Sequence, residues 1–288
     1  MSYSDPLPPF AITIALPFCL AFGWSGLMIY RGSRRRGPAM AELGMGLGFL
    51  GGYVALTGGL PFLDDLPNAV IGKIALLLLL PAALLTLWLP GPRVTRWLVA
   101  LVAAAATLWI ARGAGFDFAT LADMAVTAAA LAASLAIAFR LQALGQGSAV
   151  PVLILCLVAA SLAGIAYIAQ APVFTGLFTS LTTALAGFLF WCRPFAKRPV
   201  GAAGLILSLT LLLVLAQGFW RDAVVTPWSL VIVAGAFWSD RIVERMPVLA
   251  RRSRRRTERP GLLIAVAVLC CLVGLGLAAL VARFHLAA

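Results

Sequence analysis

Three ionisable residues sit within strongly apolar stretches of the chain, Glu42, Lys73 and Asp123. A charge held inside hydrocarbon costs roughly 3 kcal/mol or more, so each such residue is a functional candidate that must bind an ion, relay a proton or pair with a neighbour. Asp123 is the deepest by its place in the sequence, roughly 8 Å beyond Phe118 at about 1.5 Å per helical residue. Lys73 and Arg112 are available as counter-charges from the same side, and an ion pair holding two helices in register is preferred to a proton or ion relay. Glu42 and Lys73 each lie about one turn from a segment end, where snorkelling to headgroups or water is expected. Gln170 is a further polar candidate near the end of its segment.

Catalytic arrangements are not found. Gly23-Trp24-Ser25-Gly26 matches the GxSG written around the serine of intramembrane proteases, but a serine nucleophile needs a base within reach. The single histidine, His285, belongs to the opposite end of the last apolar segment, so the match is accidental. No HExxH, no phosphate loop and no paired carboxylates in one segment occur. One histidine cannot build a bis-histidine haem site or a histidine-rich metal site. The five cysteines, Cys19, Cys156, Cys192, Cys270 and Cys271, all lie in apolar segments and read as small hydrophobes. Asp64, Asp65, Asp117, Asp123 and Asp222 lack the spacing of a calcium loop. The chain is expected to be non-catalytic and to hold no cofactor.

Those residues must be positioned by helices in a bilayer. Hydrophobic residues make up 62% of the 288 and charged residues 11%, well under the roughly 25% charged of a soluble domain. A bilayer crossing takes about 20 apolar residues, and ten such stretches are present: 10–30, 39–57, 70–88, 95–111, 118–139, 149–169, 174–192, 200–218, 224–238 and 261–284. The fourth and ninth are short. The stretch 240–260, DRIVERMPVLARRSRRRTERP, carries Arg251, Arg252, Arg254, Arg255 and Arg256 among its eight arginines, which assigns it to the cytoplasm. Alternating sides from there places all 22 basic residues on that face except Lys73, Arg112, Arg221 and Arg283. Both termini then lie outside, and the first segment, followed rather than preceded by basic residues, is a span and not a cleaved leader. The net charge of +12 is thus an orientation signal rather than a nucleic-acid footprint. Most tryptophans fall near segment ends, as an interfacial belt does.

Organisation above the single span is weaker. Small-residue turns at Thr57-Gly58-Gly59, Arg112-Gly113-Ala114, Gln170-Ala171-Pro172 and Gln217-Gly218-Phe219 suggest two-span quasi-repeats at 38–90, 93–140, 147–194 and 197–242. Gly44, Gly48 and Gly52 share one helix face and allow close approach by another helix. Pro17 and Pro81 each remove a helical hydrogen bond. The expected fold is all-α, a single transmembrane domain over 1–288 of ten spans in the cytoplasmic membrane, without a soluble domain. Three functions remain open, the third being an interfacial lipid enzyme. Span number and kinked helices favour a small-solute transporter, whereas the scarcity of buried polar groups favours a structural or assembly subunit of a larger membrane complex. Expected partners are the bilayer, anionic lipids at the arginine cluster, and partner subunits or a second copy, with no nucleic acid.

Overall fold

The computed structural model describes residues 10–31, 36–59, 69–88, 92–113, 121–144, 149–192, 201–222, 227–245 and 259–287. Among them every regular element is helical. The order is α1 (Phe10–Arg31), α2 (Arg36–Ala41), α3 (Leu43–Thr57), α4 (Ala69–Trp88), α5 (Pro92–Gly113), α6 (Leu121–Leu144), α7 (Val150–Ile168), α8 (Pro172–Cys192), α9 (Ala202–Asp222), α10 (Pro227–Ala234), a 3-10 turn (Gly235–Trp238), α11 (Ser239–Arg245) and α12 (Arg259–Ala287).

Seven stretches among the described residues are long and apolar enough to cross a bilayer, in α1, α2–α3, α6, α7, α8, α9 and α12. The apolar parts of α4 and α5, Ile71–Thr86 and Trp97–Ile110, are shorter. The ninth expected span is not one regular helix. Its helical path tightens to 3-10 geometry at Gly235–Trp238 and then continues as α11, so Asp240 and Arg241, placed in a loop by hydropathy, are helical. α6 likewise runs to Leu144 and takes in Arg140, expected just past the segment end.

α9 is the central element. In its apolar window 72% of residues are buried, against 28% in those of α1, α6 and α12, and it touches α3, α4, α5, α7 and α8. Ser208 and Thr210 on α9, both fully buried, therefore face protein. The outer helices instead present leucines to the surroundings, with Leu80 65%, Leu101 66% and Leu272 62% exposed. Apolar surface on that scale suits lipid and not water.

The tightest packing joins α1, α3 and α8. A Cβ added at Gly48 of α3 would stand 2.6 Å from the Pro17 carbonyl oxygen and 2.9 Å from the Ala184 side chain. One added at Gly187 of α8 would stand 2.7 Å from the Phe18 carbonyl oxygen. Glycine is required at both because backbone, which cannot give way, is the neighbour. α1 runs unbroken through Pro17. Proline has no N–H for the carbonyl four residues earlier, and the Ser180 hydroxyl of α8 donates to that carbonyl, Thr13 O, at 3.4 Å.

Candidate functional site

Polar groups buried in an apolar bundle must find partners there, because unmet ones cost about 1–3 kcal/mol each. Besides the Ser180–Thr13 bond, three such sets among the described residues bind helices that are distant in sequence. The first is at the break between α2 and α3. Glu42 is only 3% exposed, and its carboxyl accepts the backbone N–H groups of Gly201 at 2.5 Å and Gly204 at 2.7 Å. These are donors that the first turn of α9 leaves without intrahelical partners. Beside this site Ser25, fully buried, donates to the Ala41 carbonyl at 2.9 Å, and the Trp24 indole donates to the Met40 carbonyl at 2.9 Å. The expectation that Glu42 snorkels to the interface is therefore corrected, since protein donors reach it first. Ser25 serves as a helix tie.

The second set is an ion pair between Arg140 of α6 and Asp240 of α11, with side chains 15% and 16% exposed. Asp240 also accepts the Arg241 backbone N–H at 2.7 Å. Hydropathy counted both as loop or flanking charges and did not pair them.

The third set joins α5, α6 and α9. The Thr107 hydroxyl donates to the Ala103 carbonyl at 2.8 Å, and its lone pairs face the Gln217 amide nitrogen at 3.0 Å. Ser134 Oγ lies 3.1 Å from Thr107 Oγ1 and 3.3 Å from the same amide nitrogen. With its NH2 held by two hydroxyls, Gln217 turns its Oε1 away, where that buried atom has no hydrogen-bond partner among the described residues. Gln217 and Ser134 form the polar end of an otherwise apolar cavity of about 210 Å³ between α6, α7, α9 and α10. Its wall includes Val158, Leu213 and Phe237, and its rim includes Trp220 and Val231, 58% and 59% exposed.

The other residues singled out by sequence stand apart from this cavity. Asp123 is the third residue of α6 as described, and Arg112 is in the last turn of α5. The side chains of both lie outside the described residues, as do Arg251, Arg252, Arg254, Arg255 and Arg256. Lys73, in the second turn of α4, is partly exposed. Gln170 falls just past α7, exposed in a turn with φ 55°, so it is a surface turn residue and lines no part of this cavity. The Gln217 turn inferred from Ala216-Gln217-Gly218 is helical, inside α9. Its signal was available: one amide in a helix whose other residues up to Trp220 are apolar, glycine or small hydroxyls. Thr107 and Ser134 carried no such signal, being ordinary hydroxyls in alanine-rich helices.

Among the described residues no cluster of three or more histidine, cysteine or carboxylate side chains could hold a metal, and the five cysteines are free thiols. What these polar sets can do is bind and hold. Protein-family models, curated proteins and solved structures yield no match to the chain.

Proposed function

We propose that this chain is a non-catalytic structural subunit of a larger complex in the cytoplasmic membrane, crossing it ten times with both termini outside. The observation that carries the reading is that Glu42, Arg140 and Asp240 each serve to join helices. A coupled carrier needs charged or polar groups near the midplane that can take up and release an ion, whereas these three lie in fixed interhelical ties. Support for the topology comes from the same contacts. Glu42 meets Gly201, and Arg140 meets Asp240, and the arginine distribution assigns all four to one face.

Depletion of the chain followed by quantitative proteomics of the membrane fraction tests this. A structural subunit leaves a defined set of other membrane proteins destabilised and reduced together. An unchanged membrane proteome contradicts the reading. A C-terminal alkaline phosphatase fusion is active if the C-terminus lies outside, and an inactive phosphatase with a fluorescent C-terminal GFP fusion contradicts the ten-span orientation.

The second reading is a small-solute transporter, and the cavity at Gln217 favours it. Loss of partners from the purified chain, together with saturable solute flux in vesicles, would move transport ahead.

A further inference from the structure

We propose that the cavity between α6, α7, α9 and α10 is a binding site for a neutral, mostly apolar molecule that carries one hydroxyl, with Gln217 Oε1 as the acceptor for that hydroxyl. The inference stands independently of the subunit reading, since it rests on the cavity and its one polar end.

Size comes first. An apolar cavity of about 150 Å³ accommodates benzene, and this one, at about 210 Å³, admits a somewhat larger body. Chemistry follows from the wall. Among the described residues no charged side chain lines it, and its polar contributions at the inner end are Ser134 and Gln217, so an ion or zwitterion would lose its hydration without replacement. An apolar body gains the same dispersion contacts there as a core side chain. The polar end then selects for a donor. The Gln217 amide nitrogen is held by Thr107 and Ser134, and the Oε1 is the member of the amide left without a partner among the described residues. That oxygen is buried, and the last torsion of a glutamine is broad. A small turn of the carboxamide brings the oxygen to a hydroxyl in the cavity. A ligand with only acceptors gains nothing from it.

Access is from the side. Trp220 and Val231 on the rim are more than half exposed on the apolar outer surface, where lipid-dissolved molecules reach them. The hydroxyl-bearing molecule can thus be a membrane lipid whose hydroxyl end enters the cavity or a dissolved phenol or alcohol, and the chemistry of recognition is shared.

The test uses the purified full chain in detergent, with 1-naphthol and 1-methylnaphthalene as probes of nearly equal shape that differ in the donor. Affinities are corrected for partition into protein-free micelles. Wild type is expected to prefer naphthol by about 3- to 10-fold, the worth of one hydrogen bond. Gln217→Met should bring that ratio to about one while still binding both, and Ala130→Phe, which fills the cavity, should abolish binding of both. Unbound micelle partition alone would leave all three proteins alike. Organic extraction of the purified protein separates the sources. A hydroxyl-bearing lipid recovered from wild type and depleted from Ala130→Phe identifies the bilayer, and naphthol binding without such a lipid identifies a dissolved solute. Equal affinity of wild type for the two probes overturns the proposal. So does a naphthol preference that survives Gln217→Met, or the absence of both probe binding and a co-purified lipid.

Discussion

Glu42 and Gly204, 162 residues apart in sequence, are joined by a 2.7 Å hydrogen bond from the Gly204 backbone N–H to the Glu42 carboxyl. In an ordinary capping box a serine or threonine at the N-cap serves the N–H three residues on, and a glutamate there serves the N-cap N–H in return. α9 has glycine at both places, Gly201 and Gly204, and so lacks both side chains. One carboxyl from the α2–α3 break replaces the pair, which makes the start of the central helix dependent on a different part of the chain. A Cβ at Gly201 would stand 3.1 Å from both Glu42 oxygens, so a side chain there would crowd the carboxyl that caps the helix.

Substitution at Glu42 is therefore predicted to loosen α9. Glu42→Gln keeps one acceptor and should cost about 1 kcal/mol, whereas Glu42→Leu removes both and should cost about 2–3 kcal/mol. Thermal unfolding in detergent reads the order. Equal stability of Glu42→Leu and wild type would contradict the capping role.

Arg140→Gln leaves Asp240 without its cation in a site about 15% exposed, and the predicted loss is about 1–3 kcal/mol, less than the full penalty of a completely buried pair. Arg140→Gln combined with Asp240→Asn should recover part of that loss. A double-mutant cycle measures the coupling, and additive effects would mean that the two side chains do not act as a pair.

Gly48→Ala is predicted to destabilise by about 1–3 kcal/mol, because the new methyl meets the Pro17 carbonyl and Ala184. Gly23→Ala is the control. Among the described residues nothing lies within 4 Å of its added Cβ, and removing a helical glycine there should stabilise by about 0.5–1 kcal/mol. Similar behaviour of the two variants would exclude a close α1–α3 approach.

Ser180→Ala should cost about 1 kcal/mol, the value of the bond to the Thr13 carbonyl. In a Pro17→Ala background the cost should shrink, since residue 17 then offers its own N–H to that carbonyl. An unchanged cost in both backgrounds would show that the serine matters for another reason.

Helical content and the long apolar stretches were legible because they are local: composition and length decide them. The spacing of Gly44, Gly48 and Gly52 was legible for the same reason, since the helical period puts them on one face whatever lies opposite. The charges were not legible in this way. Glu42 looks interfacial until α9 is seen to deliver Gly201 and Gly204 to it, and Arg140 looks like a flank until α6 and α11 bring it to Asp240. Gln217 was read as a turn because Ala216 and Gly218 flank it, yet its neighbours on α9 are buried leucines that hold the helix through that point. In each case the deciding contact joins helices far apart in sequence, and hydropathy carries no information about which helices are neighbours.

Native mass spectrometry of the chain, released from its own membrane in mild detergent at its natural level, tests the subunit reading most directly. The predicted result is a fixed set of partner chains at constant stoichiometry, retained in Gln217→Met. A chain that flies alone or only with copies of itself would contradict it.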